Sequence, residues 1–191
     1  MLLNNFRRVL VNTIARNLGL SQTSGMTGEV KTTGGKVYKP SAANYKVYPP
    51  ISGLGTSCNI CTKSTNYDGT DAPTGNFGFQ GCEIYLGTGN VTPTIDDYKL
   101  SGELITSLVS QGLSTTANNN SIIFSAIATN KTKSPVTIKE IGLGGYYDTT
   151  SCAFLLTRDV LATPVTLNTG DSKTFSITID FRSITDTTVN E

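Results

Sequence analysis

Histidine and tryptophan are both missing from this chain of 191 residues, and charge is scarce: Asp, Glu, Lys and Arg make up 15% of the sequence, where about 25% is usual. The missing histidine removes the commonest general base, nucleophile activator and metal ligand together. Without tryptophan, a carbohydrate-stacking platform has only tyrosine to build on. A net charge of +1 does not supply the excess of Lys and Arg that phosphate contacts demand, so nucleic acid is an unpromising partner. It also leaves little self-repulsion to oppose association. No run approaches the roughly 20 consecutive apolar residues of a membrane-spanning helix. The opening residues lack the shape of a cleavable signal, because Arg7, Arg8 and Arg16 interrupt them. The chain reads as one made and assembled in a cytoplasm.

Thr, Ser, Asn and Gly fill the polar positions instead. Thr suits a half-buried pleated surface, and Gly, Asn and Ser supply turns, so the composition is that of an all-β protein. The length fits one domain with arms or tails. Cys58, Cys61, Cys82 and Cys152 allow two disulfides, one zinc site or four free thiols. Cys58-Asn59-Ile60-Cys61 has the spacing of half a zinc site or of a redox pair. Its flanks lack a βαβ context, and Cys82 and Cys152 make no second close pair. Free or buried thiols are therefore the expectation, with no metal and no cofactor.

Residues 3–18 carry the one helical pattern. Leu3, Phe6, Leu10 and Ile14 recur at three- and four-residue spacing, with Asn5, Arg8, Asn12 and Arg16 opposite, and Gly19 is a natural stop. The helix also fits a membrane surface or a transit peptide, but Val9 and Val11 broaden the apolar side in a way that suits a groove of protein, on a partner or on its own domain. From Ser21 to Asn76 neither periodicity persists, and the segment reads as an extended arm. Within it, Lys31, Lys36, Lys39 and Lys46 alternate with Tyr38, Tyr45 and Tyr48. That interleaving fits a single-stranded nucleic-acid groove, yet tyrosines anchor protein interfaces equally well. Leu3, Phe6, Leu10, Ile14, Tyr38, Tyr45 and Tyr48 are accordingly the expected assembly interface. The organisation expected is a helix over 1–20, an arm over 21–76 and a β-sandwich over 77–191.

Beyond Asn76 the chain reads as successive strands: Phe77–Leu86, Ser121–Asn130, Pro135–Leu143, Ala153–Val160, Val165–Leu167 and Lys173–Phe181. The turn Asn168-Thr169-Gly170-Asp171 predicts a hairpin before the last of them. Phe175, Ile177, Ile179 and Phe181 alternate with polar residues, the mark of an antiparallel strand with one buried face. In the third strand, Val136 and Ile138 have one parity and Ile141 and Leu143 the other. A bulge near Lys139-Glu140 restores both pairs to one side; a strand buried on both faces from Glu140 onward is the alternative.

No catalytic pattern is present in the sequence, so no catalytic residue is assigned. There is no Gly-x-Ser-x-Gly. Asp96-Asp97 and Asp68 with Asp71 offer paired carboxylates for glycoside hydrolysis or calcium, but Asn66-Tyr67-Asp68-Gly69-Thr70-Asp71 lacks the acidic twelfth ligand of an EF-hand loop and reads as a turn. Gly87-Thr88-Gly89-Asn90 follows a strand as phosphate-binding glycines do, yet Val91-Thr92-Pro93-Thr94 leads away from a helix, so these too are turn residues.

The stretch Ile84-Tyr85-Leu86-Gly87-Thr88-Gly89-Asn90-Val91-Thr92-Pro93-Thr94-Ile95-Asp96-Asp97-Tyr98-Lys99-Leu100 resembles a segment of tailed-bacteriophage virion proteins. There a strand ends in Gly-Thr-Gly, crosses a Thr-Pro turn and reaches an Asp-Tyr-x-Leu element. The order of Val136–Leu143, Phe154–Val160 and Pro164–Asp171 is similar to the same phage β-domains. The resemblance covers about the last hundred residues and carries no catalytic residue. It implies a structural subunit of a tail, neck collar or capsid, in a virion assembled in a bacterial cytoplasm, with copies of itself and other virion proteins as partners. Glu140 and Arg158 are charges in apolar strands and are expected to pair across adjacent strands, since a buried charge persists only when matched. A receptor- or glycan-binding fibre tip is the rival reading, with Tyr67, Tyr146 and Tyr147 as contact residues.

Overall fold

A computed structural model describes residues 1–8, 10, 30–38, 57–62, 81–118, 120–147 and 152–181. These form an all-β body. Its strands are β1 (Val30–Lys31), β2 (Val37–Tyr38), β3 (Ser57–Ile60), β4 (Gly81–Gly87), β5 (Val109–Ser114), β6 (Thr116–Ala117), β7 (Ser121–Thr129), β8 (Val136–Tyr147), β9 (Cys152–Leu167) and β10 (Ser172–Asp180). β1 and β2 make a separate hairpin, and the other eight form one sheet in the order β10-β7-β5-β3-β4-β8-β9, with β6 alongside β7. β3 runs parallel to β4, so the sheet is mixed where a purely antiparallel one was expected.

The sheet curls until its two ends share a core. Phe124, Ala126, Phe175, Ile177 and Ile179 from one end join Ile84, Leu86, Ile138, Ile141, Leu143, Phe154 and Leu156 from the other in one apolar cluster. Alternation does this locally: the odd residues of β10 from Phe175 are buried and the even ones exposed up to Thr178. Gly170, at φ 90°, closes the turn before β10, a backbone shape that a side chain disfavours. Asn168 N–H donates to Asp171 Oδ2 at 2.8 Å across that turn.

Three expectations about chain organisation change. Residues 57–62 are no arm: β3 lies in the middle of the sheet, and Cys58 and Ile60 belong to its core. Residues 30–38 also pack on the body, with Val30, Thr32 and Thr33 buried. Residues 4–8 and 10 are helical, but Leu3 is buried against Cys61, Tyr85, Leu100, Ala153 and Leu155 of its own chain. Asn5, expected on the polar side, is buried too. It holds Lys31 through two bonds, Nδ2 to its carbonyl at 2.8 Å and its N–H to Oδ1 at 3.0 Å. Residues 1–3 are in effect an extra strand on β9: Leu3 N–H donates to Leu156 O at 3.0 Å, and Arg158 N–H to Met1 O at 3.1 Å. Leu3 is thus spent inside its own domain and is not available to another chain. Phe6 packs partly on the main core, and Leu10 is half-buried. Ile14, Tyr45, Tyr48 and the Tyr38 side chain lie outside the described residues.

The second face of β4, β8 and β9 positions the candidate site. Tyr85 lies opposite Gly142, and Gly87 opposite Glu140. A Cβ on Gly144 would sit 2.0 Å from the Tyr85 ring, so the missing side chains on β8 make room for that ring. The register of β8 on β9 shifts between Ile138 and Glu140. Ile138, Ile141 and Leu143 therefore share the main core, while Glu140 turns to the second face. From Glu140 to Gly145 the strand is also buried throughout, so the bulge and the two-faced burial coexist.

Candidate functional site

Glu140 and Arg158 lie on adjacent strands, two positions out of register, Glu140 opposite Val160 and Arg158 opposite Gly142. Both point to the second face, and Gly142 admits Leu155, which a Cβ there would meet at 2.7 Å. Arg158 Nε donates to Glu140 Oε2 at 2.9 Å, with both side chains at most 1% exposed. The guanidinium also reaches Asp97 Oδ2 at 2.5 Å through Nη1 and the Val91 carbonyl at 2.6 Å through Nη2. Sequence reasoning misses Asp97 in this role, offering it with Asp96 as a carboxylate pair.

The Glu140 carboxylate collects four further hydrogen bonds. Gly89 N–H donates to Oε1 at 2.9 Å and Gly102 N–H at 2.7 Å, while Ser101 N–H and Oγ donate to Oε2 at 3.0 and 3.1 Å. Gly89 and Gly102 stand back to back around it. A Cβ on Gly89 would fall 2.3 Å from Oε1, and one on Gly102 would fall 2.2 Å from Gly89 N. Two backbone turns close on the carboxylate because neither carries a side chain.

Asp97 does double duty. Its Oδ2 accepts from Thr94 N–H at 2.9 Å and its Oδ1 from Thr94 Oγ1 at 2.8 Å, which ties off the Thr-Pro turn. Asp96 accepts from Asn4 Nδ2 at 2.7 Å, and Asn4 N–H donates to Ile95 O at 2.9 Å. The long connection from β4 to β5 is thus pinned at 89, 91, 97, 101 and 102 to two charges of the sheet and at 95 and 96 to the chain's first residues.

Burial by itself would raise the Glu140 carboxyl, but the N–H groups of Ser101 and Gly102 and the Arg158 guanidinium outweigh it and hold the group below its ordinary value of 4.5. Asp97 follows the same logic: burial opposes ionisation, and the Thr94 bonds and Arg158 overcome it. Burial likewise works against the Arg158 cation, and the two carboxylates more than restore it. Such a carboxylate has no proton to donate near neutrality. The cluster is suited to holding backbone in place.

Cys58 and Cys82 are buried free thiols on neighbouring parallel strands. Burial, then the nearby Glu83, pushes Cys58 up to about 12. Cys61 is buried against Leu3 and Tyr85. Among the described residues, no group of three or more His, Cys, Asp or Glu is placed to hold a metal ion, and no helix is long and apolar enough to cross a membrane. Asp68, Asp71, Tyr67 and the side chains of Tyr146, Tyr147 and Cys152 lie outside the described residues.

No family model, curated protein or solved structure matches the chain.

Proposed function

We propose that this chain is a structural subunit of a tailed-bacteriophage virion that assembles with copies of itself and with neighbouring tail, neck or capsid proteins, and that it performs no catalysis. One observation carries the reading. The blocks that resemble phage virion proteins are far apart in sequence, yet their functional groups meet in one place: Gly89, Val91 and Asp97 from the first, Glu140 from the second and Arg158 from the third. A motif set that converges on a backbone-holding ion cluster is the motif set of a scaffold. The curled sheet then serves as a sandwich-like body, with two layers facing across one core. The helical turn at residues 4–8 begins the amphipathic helix of that body.

Assembly in this reading relies on surfaces other than Leu3, which the chain's own core consumes. The loop from Asn90 to Asp96 is one such surface: Val91 is 62% exposed and Ile95 36% exposed on a loop whose backbone is held at Val91, Thr94 and Ile95. A pre-ordered loop with apolar tips contributes to an interface without the entropic cost of ordering it. Imaging of particles carrying a labelled copy of the chain tests the proposal. Label at a fixed, symmetric position on the particle is expected, and particles without label would overturn it.

A further inference from the structure

The two ends of the sheet are treated differently. From Ala153 to Arg158 the β9 edge is closed by the chain itself, since residues 1–3 bond Leu156 and Arg158, and Thr33 N–H donates to Ala153 O at 2.9 Å. At the other end, β10 is bonded along its whole length to β7 alone. Among the described residues no main-chain hydrogen bond reaches the outer side of its stretch from Lys173 to Ile179.

The phase of the ladder identifies the groups left over. Asn130 N–H donates to Asp171 O at one end and Phe181 N–H to Asn120 O at the other, both at odd positions of β10's numbering. In an antiparallel ladder such pairs recur every second residue. The odd residues therefore spend their main-chain groups on β7, and Thr174, Ser176 and Thr178 aim theirs outward. The strand has no proline, glycine or register shift, and Lys173 and Asp180 are its only charges. Edges of monomeric proteins are usually blunted by such devices.

We propose that β10 pairs antiparallel with β10 of a second copy of this chain, joining two sheets into one across a two-fold axis normal to them. Opposite residues of an antiparallel pair share a face, so this axis sets even residues against even residues in every register it allows. A strand and its own copy always match in phase. With Ser176 on the axis, Thr174 lies against Thr178 of the second copy, and the three narrow pairs exchange about six hydrogen bonds. The hydroxyl ladder already present on that face, Thr129 with Ser172 and Ser125 with Ser176 at 2.8 Å each, continues across the seam. The antiparallel sense keeps the two Lys173 residues at opposite ends of the seam, whereas a parallel pair would set lysine beside lysine. The assignment rests on the self-association in the function proposed above and locates it.

The test is sedimentation equilibrium of the full chain at micromolar concentration. The wild type is expected at twice its 20.3 kDa. Ser176→Pro removes an outward N–H and none from the β7 ladder, a placement proline tolerates on an edge. It is expected at the mass of one chain with a native circular-dichroism spectrum. Should that variant misfold, Thr174→Lys with Thr178→Lys sets like charges across the axis and is expected to dissociate the pair as well. A wild type that sediments as one chain at every concentration overturns the proposal, as does a folded variant that stays at the wild-type mass. Particle incorporation is read separately: a chain that dimerises through β10 yet is absent from particles supports this edge and overturns the virion reading.

Discussion

Truncating Arg158 leaves the Glu140 carboxylate buried without a counter-charge, and truncating Glu140 leaves the buried guanidinium with Asp97 as its one carboxylate partner among the described residues; breaking a buried pair costs about 3–5 kcal/mol in comparable cases. Glu140→Ala and Arg158→Ala are each expected to lose that much in denaturant unfolding, and the double variant less than the two losses added together. Strict additivity would mean the two groups act separately. Acid gives an independent view of the same cluster. Glu140 and Asp97 are both held below their ordinary values of 4.5 and 3.8, so the folded chain binds fewer protons than the unfolded one in acid. The stability they confer is complete above those ordinary values and is lost as pH falls through the depressed ones. The thermal midpoint is expected to decline below about pH 4.5, and Glu140→Gln, which cannot titrate, should flatten that decline while lowering the plateau. Cysteine chemistry separates residues in the same way. The Cys58 thiol, raised to about 12 by burial, is expected to resist alkylation at pH 8 in the native chain and to react on unfolding, as peptide mapping would show. Rapid labelling of the native chain would contradict its burial.

At the scale of elements, the first residues act as part of the β9 edge. Leu3→Ala is expected to cost about 2–5 kcal/mol, as for a fully buried leucine elsewhere. Removing residues 1–5 should lower the thermal midpoint further, because Lys31 and Leu155 lose the Asn5 side chain as well. An unchanged midpoint after that deletion would show that the segment is dispensable to the fold. Strands with strict alternation or long apolar runs were legible in the sequence: β7 lies within the stretch read as a strand, β10 and β4 overrun theirs by one residue, and β8 continues past the expected end at Leu143 to Tyr147. β5 was not, because Val109-Ser110-Gln111-Gly112-Leu113-Ser114 buries neither parity fully and so shows no period. β3 was hidden by its brevity and by its Gly, Ser and Thr flanks. Pro164 made β9 look like two strands, although the chain continues through an irregular stretch opposite Ile138 and Glu140. The Glu140 and Arg158 charges were legible as a pair because each sits in a largely apolar strand. Asp97 was not, since it sits in a polar turn where an aspartate needs no explanation.

For the whole molecule, the relevant fact is that β3 joins both halves of the sheet. Its parallel partner β4 belongs to the half carrying the ion cluster, and its antiparallel partner β5 leads to β7 and β10. One continuous sheet with a shared core is expected to unfold as one cooperative unit, with the β10 edge at one end and the pinned loop beside the other. In the proposed assembly that layout would set edge and loop against different neighbours. The measurement closest to this account is quantitative mass spectrometry of density-gradient-purified phage particles from cells that express the chain. The account predicts that the chain bands with intact particles in a fixed number of copies per capsid. Recovery of the chain only from the soluble fractions at the top of the gradient would contradict it.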